Sequence, residues 1–267
     1  MNKSNVVPGL SGVGLLTGMV LTVCGCSARA PQREPAVKVL VVASSDPDHA
    51  AMIAKAGPFL ATLAAENHFV LGFTKDTSQI NEANLARYQV FIQLHLAPFN
   101  MSASQQKALQ DFIEDGHGWI GVHAAGLTGK QFLSPGTPYW QWFENLMGDI
   151  VYSPHPAIQT GSVVVEDSKH PVTRNLPASF KVRDEWYEFD RSPRPRVRVL
   201  ACADESTYKP NKPMGDHPII WANEKYRRAL YIGIGHDATA CSDPSFAILM
   251  RDAILWAASA EQRMEVR

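Results

Sequence analysis

Four short apolar runs, separated by longer segments of which two read as helices, constrain this chain more than any other feature. They are residues 37–43 (VKVLVVA), 69–74 (FVLGFT), 90–96 (VFIQLHL) and 119–123 (WIGVH). Such runs suit strands covered on both faces, as in a parallel sheet flanked by helices. Residues 48–66 have helical character, interrupted at Gly57-Pro58. Ser102 and Gln105 form a capping-box pattern ahead of a helix to about Asp115, and Gly116 ends it. This rhythm predicts an α/β fold with a doubly wound, mostly parallel sheet.

The second half holds further strand candidates at 162–166, 196–201, 219–222 and 229–234. A last helix is capped by Asp243, has Pro244 at its first position, and shows an apolar face of Phe246, Leu249, Met250, Ala253 and Ala257. Between residues 124 and 218 the connections are long and rich in Pro, Trp and Tyr. Loop insertions of that length are usually functional, and here they are expected to form the walls of a pocket.

The N-terminus reads as a targeting segment. Lys3 gives a weakly positive start, and residues 13–23 (VGLLTGMVLTV) are too short to span a bilayer but right for a signal sequence. Gly25 before Cys26 matches the pattern of a bacterial lipoprotein cleavage site; Val23 before Cys24 fits less well. The expectation is a lipoprotein signal at 1–26, lipid on Cys26, a polar tether at 27–36 and one α/β domain at 37–260. The protein would be exported and membrane-anchored through its N-terminal lipid, at the periplasmic face or cell surface. Export would permit a disulfide between Cys202 and Cys241, which the sequence leaves open.

Charge narrows the partners. With 25 Lys and Arg against 26 Asp and Glu, the formal net charge is −1. That balance argues against nucleic acid, whose phosphates require a basic face. The cluster Arg191, Arg194, Arg196 and Arg198 reads as a solvated loop entering a strand. The chain has no phosphate-binding P-loop, no GxSxG elbow, no HExxH and no CxxC.

What remains is a set of histidines and acids at strand ends. His123 closes the fourth apolar run, and His236 follows residues 231–235 (YIGIG). In open α/β sheets, ligands bind outside the carboxyl ends of the strands, so both are candidate site residues. Asp184-Glu185-Trp186-Tyr187-Glu188-Phe189 interleaves acids with aromatics, which suits sugar binding but equally a plain amphipathic strand. His155-Pro156, His170-Pro171 and Asp216-His217-Pro218 are loop dipeptides, with His170 expected at the surface.

These residues resemble those of the ThuA-like (trehalose-utilisation) family from about residue 37 to 258. The motifs are Gly116-His117-Gly118-Trp119-Ile120-Gly121-Val122-His123-Ala124-Ala125, Leu146-Met147-Gly148 with His155-Pro156, and His170-Pro171-Val172-Thr173 with Leu176-Pro177. Asp184-Glu185-Trp186-Tyr187, Asp216-His217-Pro218-Ile219-Ile220-Trp221, Gly233-Ile234-Gly235-His236 and Ala253-Ile254-Leu255-Trp256-Ala257 follow. The resemblance implies a flavodoxin-like, class I glutamine amidotransferase-like fold and a role with trehalose, related glycosides or their keto derivatives. It implies His123, His236, Asp184 and Glu185 as catalytic residues, with His155 and His49 against substrate; Trp186, Tyr187, Asp216 and His217 are further candidate substrate contacts from their own chemistry and position. Glutaminase chemistry needs a thiolate after the central strand, and here that turn carries His123, Ala124 and Ala125.

Three functional readings follow. The first is an enzyme acting on a small-molecule glycoside or keto sugar by histidine and carboxylate acid–base chemistry, as a lyase, hydrolase or isomerase. A version of it uses a zinc-like divalent metal. The second is a non-catalytic sugar-binding lipoprotein, and the third, an amidase or peptidase, lacks its nucleophile. The first two differ on one observation: an enzyme needs His123 and His236 within reach of one ligand atom.

Overall fold

Strand β1 (Lys38–Ala43) turns Val39, Val41 and Ala43 toward one core and Leu40 and Val42 toward another, with all five buried. The computed structural model describes residues 36–226 and 228–259. The signal segment with Cys26, and the tether apart from its last residue, lie outside the described residues. None of the helices among the described residues is long and apolar enough to cross a membrane.

The chain continues through α1 (Ala50–Asn67), β2 (Val70–Thr74), α2 (Glu82–Leu85), β3 (Val90–Leu94), α3 (Ala103–Glu114) and β4 (Gly118–Val122). After α4 (Gln141–Leu146) come β5 (Tyr152–Ser153), β6 (Gln159–Val165), β7 (Ser179–Asp184), β8 (Glu188–Phe189), β9 (Arg198–Asp204), β10 (Pro218–Asn223) and β11 (Ala229–Ile232), before the closing helix α5 (Pro244–Ala258). Nine of these strands form one sheet in the order β2-β1-β3-β4-β11-β10-β9-β6-β7, and β5 pairs with β8 alone. The pairs from β2 to β11 are parallel. The pairs from β11 to β7 are antiparallel. The parallel half is the flavodoxin-like arrangement expected from the apolar runs; the second half makes the sheet mixed. Helices α1 and α5 supply the core on one face, while α3 and α4 supply the other.

Local signals explain most element ends. Ser102 Oγ accepts from Gln105 N while Gln105 Oε1 accepts from Ser102 N, so the capping box of α3 is complete. Gly116 closes that helix at φ +85°. Asp243 accepts from Ser245 N and Phe246 N at the start of α5. Two expectations change, and one open question closes. Helix α1 runs through Pro58, because burial of Met52, Ile53, Ala56, Leu60 and Leu63 outweighs the one backbone bond that proline removes. Strand β7 lies within the segment expected as loop; its inward residues are Phe180, Val182 and Asp184, and the buried acid masks the alternation. Cys202 and Cys241 are free. Cys202 sits near Arg194, Cys241 donates to Met52 Sδ, and burial pushes the two thiols up to about 12 and 11.

Each arginine of the basic cluster faces an acid. Arg191 meets Asp190, Arg194 meets Glu166 and Asp216, Arg196 meets Asp149, and Arg198 meets Asp167 and Glu224.

Candidate functional site

The strand order 2-1-3-4 places a topological switch point between β1 and β3, where a ligand crevice forms beyond the strand ends. His49 follows β1, His95 follows β3, His123 follows β4 and His236 follows β11. His95 and His123 adopt left-handed backbone, φ +54° and +50°, immediately after their strands. For a non-glycine residue this costs on the order of 1–3 kcal/mol and persists only where surroundings impose it. Around His123 the imposition is visible. Tyr231 Oη donates to the His123 carbonyl at 2.9 Å, and a Cβ on Gly126 would come within 2.3 Å of that hydroxyl oxygen.

The four rings form one cluster. Their centroids are 4.6 Å apart for His49 and His95, 5.0 Å for His123 and His236, 5.2 Å for His49 and His236, and 5.3 Å for His95 and His123. Glu185 closes it. Its Oε2 lies 3.3 Å from His123 Nε2, 3.3 Å from His155 Nε2 and 3.2 Å from His236 Nδ1. His123 and His236 therefore lie together and both face one carboxylate oxygen. Tyr187 stacks beneath, its ring 4.0 Å from that of His123 and 5.1 Å from that of His155.

Asp184 holds this arrangement from behind. Fully buried at the end of β7, it accepts from Gly235 N at 2.7 Å, His236 N at 3.0 Å and Glu185 N at 2.9 Å. Burial pushes its carboxyl up to about 7 against those three donors. Burial lowers His49, His95, His123 and His236 below the ordinary imidazole value, His95 well below. Burial alone would raise Glu185, but the His123 contact and the surrounding imidazoles outweigh it and hold it below the usual carboxylate range.

The other expected residues sit elsewhere. Trp186 is a core residue rather than a sugar platform: it is fully buried, donates to the Gln159 carbonyl at 3.1 Å and stacks on Tyr208 at 4.7 Å. The chain breaks strand geometry between β7 and β8, which turns this ring inward. Trp186→Phe keeps the apolar ring and loses one hydrogen bond, so it is expected to lower stability by about 1–2 kcal/mol, read from a denaturant midpoint. Asp216 is engaged with Ser192 and Arg194. His217 is buried beneath the site, with Nε2 donating to the Tyr187 carbonyl at 2.9 Å and Nδ1 facing Glu205 and Tyr208. It braces Tyr187 without reaching the cluster. His170 is buried rather than at the surface; its ring packs on Trp256 and burial lowers it to about 4.

One member, His95, was not expected. It occupies the position that singles out His123 and His236, directly after an apolar strand. Reading residues 90–96 as unbroken strand hid it.

A separate cavity of about 230 Å³ has none of the cluster residues in its wall. It is lined by Pro98 and Phe99 after β3, Leu127 and Thr128 after β4, and Tyr139 and Trp140 ahead of α4. An aromatic series joins the two: Phe99 stacks on Phe132, Phe132 meets Tyr152, Tyr152 meets Tyr187, and Tyr187 lies on His123. The loop insertion after β4 thus supplies a pocket wall, as its composition predicts.

The sequence profile of the trehalose-utilisation family, ThuA, matches residues 38–257. A solved ThuA-like protein from Bacteroides uniformis is 31% identical, with TM-score 0.76, covering 87% of this chain and 96% of that one. Another from Parabacteroides merdae is 17% identical, with TM-score 0.64, covering 84% and 91%. The glutaminase domain of a CTPS from Trypanosoma brucei shares the fold at 10% identity and TM-score 0.52, covering 83% and 94%. No curated protein matches the chain significantly.

Proposed function

The chain belongs to the trehalose-utilisation (ThuA) family, and from that premise we propose that it transforms a glycoside or keto sugar at the Glu185–imidazole cluster. The observation that carries this reading is the convergence of His123, His155 and His236 on Glu185 Oε2 within 3.3 Å. A keto sugar has an acidic C–H beside its carbonyl. A neutral imidazole takes that proton, and the electron pair moves into an enolate. The enolate either expels the neighbouring glycosidic oxygen, which takes a proton from the imidazolium as it leaves, an elimination, or passes a proton from the adjacent hydroxyl to the enolate oxygen and takes the imidazolium proton at the former carbonyl carbon, an isomerisation. Glu185 orients the imidazoles and balances positive charge as it develops. The aromatic cavity accommodates the remainder of the glycoside, on the apolar ring faces that sugars and aglycones favour.

The test incubates the purified protein with trehalose, other disaccharides and their keto derivatives. Product from the wild-type chain, absent with His123→Ala, is expected. Saturable sugar affinity without turnover would contradict the enzyme reading and favour a binding protein.

The reading includes export with lipid on Cys26, supported by the apolar run 13–23 and Gly25. Expressed in a bacterium, the wild-type chain is expected in the detergent phase of a detergent–water partition and Cys26→Ser in the aqueous phase. Identical partitioning of the two would contradict it.

A further inference from the structure

We propose that this cluster is a binding site for one divalent transition-metal ion, held by nitrogens of His49, His95, His123 and His236 with Glu185 as the anionic donor. His123 Nδ1 lies 3.1 Å from the Gly233 carbonyl, and His155 Nδ1 lies 2.8 Å from the Pro156 carbonyl. A carbonyl only accepts, so each Nδ1 carries a proton, and in a neutral ring each Nε2 presents a lone pair. Both Nε2 atoms lie 3.3 Å from the same Glu185 oxygen. Lone pairs beside an ionised carboxylate repel unless a proton or a cation stands among them. A backbone carbonyl fixing the far ring nitrogen is also the usual support of a metal-ligating histidine.

Nδ1 of His49 and both ring nitrogens of His95 are buried with no hydrogen-bond partner among the described residues, and buried Nδ1 of His236, though 3.2 Å from Glu185 Oε2, makes no hydrogen bond there. Buried polar atoms are seldom left so, and four of them within one cluster call for a common ligand. His49, His95 and His123 each bring a ligand atom within 4.8 Å of the others, and so do His123, Glu185 and His236. His123, with one free nitrogen, belongs to both trios, so a single ion beside its Nε2 is the arrangement that serves them together. Imidazole-rich donor sets select zinc, iron, cobalt or nickel over calcium or magnesium, which prefer oxygen. With the ion in place, four imidazoles are engaged as ligands. His155, a quarter exposed at the rim and tethered by Asn211 through its carbonyl, remains as the imidazole free to move a proton.

This inference rests on the cluster and not on the identity of the substrate. The test uses the purified protein, stripped with chelator, then titrated with Zn²⁺ and Co²⁺ by calorimetry and by the visible absorption of cobalt. One ion per chain is expected. His95→Ala and His236→Ala, each checked for native circular dichroism, are expected to weaken binding by more than about 10-fold, and His68→Ala, outside the cluster, to leave it unchanged. His236 is less buried than His95, so a folding failure of the His95 variant still leaves a readable result. Absence of saturable binding, or equal affinity in wild type and His236→Ala, would overturn the proposal. Because no sugar is present, failure here is distinguishable from failure of the turnover assay.

Discussion

Asp184→Ala is expected to destabilise the protein by roughly 3–5 kcal/mol and to dismantle the site at the same time. The carboxylate joins the end of β7 to the loop after β11, receiving the backbone N–H groups of Gly235 and His236 as well as that of Glu185. Alanine leaves those three donors without their acceptor in a region that admits little water. For a domain of this size, each kcal/mol shifts the unfolding midpoint by about 2–4 °C, so a fall of roughly 10 °C is expected. Asp184→Asn keeps one acceptor oxygen and the side-chain shape and should lose less. A thermal scan of the three proteins checks the order. Equal midpoints for wild type and Asp184→Ala would show that the loop after β11 is held by other contacts, among them the Arg183–Asp237 ion pair.

Glu185→Gln is expected to act in the opposite sense, sparing the fold and removing the chemistry. Glutamine keeps the volume but not the charge that three imidazoles face. The side chain is partly open to solvent, so its replacement should change stability by less than about 1 kcal/mol. Turnover of the active sugar is expected to fall by about 100- to 10,000-fold, the range that one acid–base group commands. Parallel kinetics and melting curves separate this outcome from a folding defect. Unchanged kcat/KM in a folded Glu185→Gln protein would remove Glu185 from the mechanism.

The two variants differ because Asp184 and Glu185, neighbours in sequence, face different surroundings. That distinction was not legible in the sequence. Both acids fell in one motif, and only the fold shows that the first is spent on backbone amides 51 and 52 residues away while the second meets the rings. The parallel half of the sheet was legible, since strands buried on both faces leave unbroken apolar runs. The same logic found His123 and His236 at strand ends. It missed His95 because one histidine inside an apolar run looks like strand until the backbone is seen to turn left-handed there. Trp186 and Tyr187 show the converse problem. Side-by-side aromatics in an acidic motif looked equivalent, yet one ring is sealed against Tyr208 and the other lies on His123. Asp216 and His217 likewise carried a family motif whose role here is to pair Arg194 and to brace Tyr187.

A crystal structure of the protein with a bound keto sugar decides whether sugar is handled where Glu185 meets the histidines. The sugar carbonyl or its neighbouring carbon is expected within about 3–3.5 Å of Glu185 Oε2 or of an imidazole nitrogen of the cluster, directly or through one bound ion or water. A sugar ordered wholly within the Phe99–Trp140 cavity, with none of its atoms reaching the histidines, would contradict it.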